Sequence, residues 1–391
     1  MIKFFDDVDV FDYDLERKNI ISNLDKLKLM SVQEQTLYKK WIECRQYKER
    51  YDSALDTKTR IWKPKNLLNK ELTISEFKNL KPTLKLVKNT FEQEDWLNLR
   101  LFISSFSFDA NPGRILKYIV CDEETDLYLG IIGISSDVAS IKNRDELIGW
   151  TREHKFKLGK LNNIAIGSTI VPTQPFGYNF LGGKLIASLL CTKKIRDDWK
   201  NIYGDYLVAM TTTSLYGQGS MYNGIPFWKS LGESAGKVFI KPDEEFYDIW
   251  HSWVKNNLPE QYEKEITVPS LKNNGPVTGI KQKILSIIMR ELKIKPNDYV
   301  HGFKRGIYFA EFYENYKEYL VNNIKESDLV LKKSIENDYD SILSWWKPKA
   351  ENRYLKLLEN NKLKSDILYY SKLSFMSWDE TKEKYLQDVG R

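Results

Sequence analysis

Glycine is distributed so unevenly along this chain that it sets the architecture before any other feature is read. None occurs in residues 1–112, 15 of the 20 fall in residues 113–236, and the last 5 follow. Glycine weakens helices and is used where backbone takes positive φ or approaches closely. The first region is therefore expected to be mainly helical and the centre to be strand and loop. Asn19-Ile-Ile-Ser-Asn-Leu-Asp-Lys-Leu27 and Gln33-Glu-Gln-Thr-Leu-Tyr-Lys-Lys-Trp-Ile42 carry apolar residues at three- and four-residue steps. A further helix is expected over Glu92–Phe102, whose acidic start suits a helix N-terminus.

In the centre the period changes. Leu116–Cys121 and Leu127–Ile134 read as paired strands around the turn Asp122–Asp126. The β-branched run Asn163–Val171 is a third strand, followed by the loop Gln174–Gly183 and a helical pattern from Lys184 to Trp199. Asp205–Thr213 is another buried strand, Pro226–Gly232 a short helix, and Lys237-Val-Phe-Ile240 a last strand. Beyond about residue 256 helices return, over Ile280–Leu292, Tyr308–Leu320, Asp338–Leu358 and Asp366–Leu386, with Trp345 and Trp346 before Lys-Pro-Lys marking a helix end. The expected fold class is α/β. A mixed sheet with helices over residues 106–255 is flanked by helical regions over 1–105 and 256–391.

Composition excludes several classes. No run of about 18 apolar residues is present, so a membrane span is not expected. The N-terminus lacks a basic segment followed by an apolar one, so a secretory signal is not expected. Cys44, Cys121 and Cys191 are scattered, as are His154, His251 and His301, which gives neither a disulfide framework nor a metal site. A cytoplasmic protein without a metal is the expectation. The net charge is +6, and residues 141–204 hold 11 Lys and Arg against 5 Asp and Glu, the whole of that excess. A basic centre suits an anionic ligand or a nucleic-acid backbone, and equally a solvated face.

The loop Gln174-Pro-Phe-Gly-Tyr-Asn-Phe-Leu-Gly-Gly183 sits between a strand and a helix start, where backbone N–H groups point at anions. Gly177, Gly182 and Gly183 remove Cβ atoms, Asn179 is placed to cap the following helix, and no acidic residue lies between Glu153 and Asp197. A structural strand–helix turn accounts for the same glycines. The spacing is neither a phosphate-binding Walker loop nor a dinucleotide fingerprint. The strand order with this loop resembles the acyl-CoA-binding core of the GNAT acyltransferase superfamily. Gln174-Pro-Phe-Gly177 and Leu181-Gly-Gly-Lys184 stand, with an insertion, where that superfamily holds the CoA pyrophosphate, and Phe227–Gly232 resembles its short Phe-Tyr-x-x-x-Gly element. That resemblance implies acyl-CoA or a related anionic donor held by Gln174, Gly177, Asn179, Gly182, Gly183 and Lys184.

A second ordered set covers residues 112–237. Arg114–Val120, Leu129-Gly130, Arg144-Asp-Glu-Leu-Ile-Gly-Trp150, Asp197-Asp-Trp-Lys-Asn-Ile-Tyr-Gly204, Thr211–Ser214, Gly219-Ser-Met-Tyr222 and Trp228–Gly236 are similar to the Druantia anti-phage DruA family. The resemblance implies work on foreign DNA, in host defence or as a phage counterpart, with DNA and other subunits of such a system as partners. By analogy with the Mom family of GNAT-like DNA-modification enzymes, a transferase acting on a base is one expectation. A non-catalytic DNA-binding or complex-forming subunit is the other.

Candidate residues follow from chemistry. Tyr222 is placed as a general acid or as a hydroxyl that orients a base, with Thr213, Ser214 and the loop Gly217-Gln-Gly219 at a polar strand end, and a hydroxyl-lined turn with a packing tyrosine accounts for the same residues. Arg144 has the bidentate geometry that clamps phosphate or carboxylate, or it closes a turn with Asp145. Trp150 and Trp228 offer ring faces on which a base stacks, or they pack in the core. Asp197 and Asp198 offer a carboxylate pair for base work or metal binding, or they pair on the surface with Lys193 and Lys194 at helical spacing.

Overall fold

The computed structural model describes residues 11–46, 54, 57–103, 113–215, 220–236, 238–267, 280–335, 338–365 and 376–388. The chain divides into two compact units, one of residues 1–35 with 236–303, the other of residues 36–235 with 304–391. Among the described residues no helix is long and apolar enough to cross a membrane.

The larger unit holds a seven-stranded sheet. Its strands are β1 (Pro82–Leu86), β2 (Ile115–Asp122), β3 (Tyr128–Ser136), β4 (Ile164–Pro172), β5 (Ala209–Ser214), β6 (Lys229–Glu233) and β9 (Gly306–Glu311), in the spatial order β1-β2-β3-β4-β5-β9-β6. All neighbours are antiparallel except β4 and β5, which run parallel. β2 and β3 are buried on both faces because their residues alternate between two cores. Tyr118, Val120, Leu129, Ile132 and Ile134 face a core with Leu185, Ile186, Leu189, Trp199 and Trp346. Ile119, Cys121, Tyr128 and Ile131 face Trp96, Leu99 and Phe102 of the helix Thr90–Ile103. Helices thus cover both sides of a mixed sheet, the α/β class read from the sequence.

Several elements depart from expectation. Tyr308–Leu320 is not one helix: β9 comes first, then the helix Tyr316–Leu320. A short aromatic and β-branched apolar run has no decisive period, and pairing with all six residues of β5 selects strand. Pro226–Gly232 is a turn leading into β6, where Gly232 takes φ +87°, outside the helical region. β1 lies inside the N-terminal region read as helical and pairs along its whole length with β2. The pattern from Lys184 to Trp199 is two helices, Gly182–Leu189 and Lys193–Tyr203. Thr192 separates them by donating its hydroxyl to Leu189 O at 2.8 Å. Trp346 does not end a helix, since Asp338–Glu359 runs through Pro348. The buried stripe Ile342, Trp346, Ala350, Tyr354 and Leu357 continues on both sides of that proline and offsets its lost hydrogen bond. Of Asp366–Leu386, residues 366–375 lie outside the described residues, and the helix present is Trp378–Asp388.

The smaller unit packs the helices Tyr13–Leu29, Glu244–Asn257 and Ile280–Glu291 with the two-residue strands β7 (Val238–Phe239) and β8 (Val300–His301). Phe11, Tyr13, Trp250 and Trp253 form an aromatic cluster in it, with ring centroids 5.0–5.9 Å apart.

A candidate site where the parallel strands part

β4 and β5 pair only over Ile164–Ile166 and Ala209–Thr211, although β4 runs on to Pro172 and β5 to Ser214. The other edge of β4 is irregular. Gly133 faces Thr169 while Ile134 faces Gly167, so Ser168 is an extra residue, a β-bulge. A bulge bends and twists its strand, and this one lies just past the last residue paired with β5. Ser168 settles in the bulge with its hydroxyl 2.9 Å from that of Ser135 and 3.1 Å from Gly133 O. Beyond it the carboxyl ends of the two parallel strands are not paired with each other, and this wedge is the position at which open α/β sheets take ligands.

Polar groups gather in the wedge. Thr212 donates to Gly167 O at 3.0 Å, and its hydroxyl lies 3.4 Å from that of Tyr222. The Tyr222 ring packs against those of Tyr308 and Trp228, and Tyr308 donates to Asn223 Oδ1 at 2.9 Å. Burial pushes the Tyr222 hydroxyl up to about 12, with the Thr212 hydrogen bond opposing, so at neutral pH it is a donor and never a base. Thr213 and Ser214 lie on β5 opposite Ile307 and Gly306, with Ser214 buried. Gly217-Gln-Gly219 lies outside the described residues.

The donor loop is folded onto the protein itself. A Cβ on Gly177 would meet Pro172 Cγ at 2.6 Å, one on Gly182 the Phe176 ring at 2.5 Å, and one on Gly183 Met221 Sδ at 2.9 Å. Asn179 does not cap the next helix. It donates to Lys364 O at 2.7 Å and accepts from Lys364 N at 3.1 Å, while Leu181, with φ +52°, precedes that helix without a side-chain cap. Gln174 Oε1 accepts from Tyr178 N at 3.0 Å. Lys184 donates to the carbonyls of Met221 and Asn223, and burial lowers its ammonium from the usual range. The Cβ sides of Gly177, Gly182 and Gly183 are thus packed against the chain itself, and the Lys184 ammonium is engaged with two backbone carbonyls. Gly182→Ala, which drives a methyl into Phe176 and the Gly177 backbone, is expected to cost about 1–3 kcal/mol, read as a lower urea midpoint with unchanged slope.

The remaining candidates are in the interior. Arg144 is wholly buried and engaged with side chains of the chain itself. Its Nη1 lies 2.9 Å from Asp137 Oδ2, and its Nε and Nη2 donate to Asp145 Oδ1 at 2.9 and 2.6 Å. Lys155 completes the group by donating to Asp145 Oδ2 at 2.7 Å, and Thr211 by donating to Asp137 Oδ1 at 2.8 Å. Burial raises the Asp137 carboxyl, against the pull of Arg144. Asp137, Thr211 and Lys155 escape a reading of the sequence because no spacing rule joins them to Arg144. Trp150 and Trp228 do not offer their faces to a base. Their indole N–H groups donate to Leu320 O and Ala187 O, each at 2.9 Å, and both rings are core. Asp197 and Asp198 pair with Lys193 and Lys194 as their spacing implies. Lys142 and Lys157 also pair with carboxylates one helical turn away, so part of the basic centre is locally neutralised.

Fold and site together define a mixed α/β protein whose central parallel pair ends in a buried polar cluster. Its sequence matches the family described as Druantia protein DruA over residues 34–322, and the chain belongs to that family. It is similar to the Druantia protein DruA of Escherichia coli (strain UMEA 4076-1), 28% identical over 294 residues that cover 68% of each chain. No solved structure matches. Family membership points to a component of an anti-phage defence system.

Proposed function

We propose that this protein serves its defence system as a binding and assembly subunit built on a GNAT-like sheet, with nucleic acid among its partners. The observation that carries the reading is the donor loop, whose glycines, Asn179 and Lys184 are all engaged within the chain. The basic excess of residues 141–204 supports a nucleic-acid partner. Two measurements test it on the full chain. Labelled acetyl-CoA is expected to show no saturable retention. DNA binding is expected to weaken linearly in log K against log salt as counterions are released. Saturable acetyl-CoA retention, or DNA affinity that ignores salt, overturns the proposal.

A second reading is favoured by the wedge, where the Thr212 and Tyr222 hydroxyls meet at the parted ends of β4 and β5. It takes the core as a transferase acting on a DNA base, with Tyr222 as proton donor. Tyr222→Phe separates the two. The 3.4 Å contact it removes is long, so stability is expected to change by less than about 1 kcal/mol. Mass analysis of DNA nucleosides from cells carrying either form then decides. A modified base that appears with the wild type and vanishes with Tyr222→Phe establishes the transferase, and no new base in either removes it.

A further inference from the structure

A hollow of about 940 Å³ opens beside Tyr319, lined by Lys160 and by residues 322–328. It shares no residue with the wedge. Lys160 is only 8% exposed, yet its ammonium has no hydrogen-bond partner and no carboxylate within 4 Å among the described residues. It rests 3.6 Å over the centre of the Tyr319 ring. Tyr319 is held in place by donating its hydroxyl to Glu326 Oε1 at 3.2 Å, and the ring is buried. A cation on a ring face keeps its other N–H directions open, here toward the hollow. Burial lowers this ammonium from the usual lysine range, with Glu326 and Asp205 opposing from a distance.

The rim supplies a different chemistry. Asn322 and Asn323 are exposed, and their side-chain amides make no hydrogen bond among the described residues. Asn322 takes φ +63°, and backbone bonds from Asn322 N to Tyr319 O and from Asn323 N to Glu318 O fix the turn that presents them. An amide offers a donor and an acceptor side by side, the pattern that reads a base edge. The hollow has the size of a small-molecule site, and inorganic phosphate alone would leave most of it empty.

We propose that this hollow holds a nucleotide, its phosphate on the Lys160 ammonium and its base edge against the amides of Asn322 and Asn323. The same chemistry is carried by a free nucleotide and by the 5′-phosphorylated end of a strand. Glu326 at the rim repels the phosphate and sets an upper limit on affinity. No acyl donor and no catalytic step is involved, so the result is independent of the reading given above for the wedge.

The test is calorimetric titration of the full chain with each of the four ribonucleoside 5′-monophosphates, with adenosine, and with a 5′-phosphorylated single-stranded DNA 12-mer. At least one phosphorylated probe is expected to bind, with adenosine at least ten-fold weaker than AMP. Tighter binding of a monophosphate assigns the site to free nucleotides, and tighter binding of the 12-mer to strand ends. Lys160→Gln is expected to weaken the bound probe ten-fold or more, Lys160→Arg to retain it, and Glu326→Gln to tighten it. Asn322→Ala with Asn323→Ala is expected to level differences among the four monophosphates. Should Lys160→Gln fail to fold, Glu326→Gln and the asparagine pair decide. No binding by any phosphorylated probe, or binding unmoved by these changes, overturns the proposal.

Discussion

Arg144→Met is expected to destabilise the larger unit by about 3–5 kcal/mol, the cost of removing one partner from a buried charged pair. The methionine fills much of the same space, so the loss is electrostatic rather than a cavity. Asp137 keeps Thr211 Oγ1 and Val138 N as donors but loses the Arg144 cation, and Asp145 keeps Lys155. Urea unfolding at pH 7 measures the loss, and a change under 1 kcal/mol would show that the pair is replaceable. The pH dependence has a definite sign. Burial raises the Asp137 carboxyl above its unfolded value, so the folded state binds its proton more tightly. That contribution is fully present below the unfolded aspartate value, about 3.9, and is lost as pH rises through the folded value. With the guanidinium gone the raised carboxyl is raised further, so the deficit of Arg144→Met is expected to shrink as pH falls from 7 toward 4. Asp137→Asn added to Arg144→Met should recover part of the deficit at pH 7, because a neutral amide needs no counter-charge.

Trp346→Ala is the second large effect, expected to cost about 3–5 kcal/mol. Trp346 is fully buried, packs its ring on Phe77 and Phe176 at 5.2 and 5.7 Å, and donates its indole N–H to Phe180 O at 3.1 Å. Truncation leaves a cavity and an unpaired carbonyl together. The neighbouring Trp345 is only partly buried, and Trp345→Ala should cost less than half as much. Thermal unfolding of the two variants compares them directly. Equal losses would mean that the ring on the loop side carries no special weight.

The pairing of β2 with β3 was legible because its signals are local. Two apolar runs flank a turn in which Asp122 Oδ2 accepts from Thr125 N and Oγ1. The helices Thr90–Ile103 and Ile280–Glu291 were legible from their stripes. The loop 174–183 was legible as a strand–helix connection, but its purpose was not. Glycines look alike whether a ligand or a ring occupies the missing Cβ, and the occupants here are Phe176, Pro172 and Met221. Asn179 meets Lys364, 185 residues away, and no cap rule anticipates that bond.

By itself the sequence determined the class of the fold, the family, and the β4–loop–helix order, because hydrophobic period, glycine placement and ordered motifs are properties of neighbours along a chain. Only the tertiary structure decided that β9 enters the sheet between β5 and β6, with residues 234–305 intervening between β6 and β9. It also decided that β4 leaves β5 at the Ser168 bulge, that Arg144 is interior, and that Lys160 opens on a hollow. Each depends on which distant side chain or strand occupies the space beside a residue, and that is fixed by packing across the whole unit rather than by local spacing.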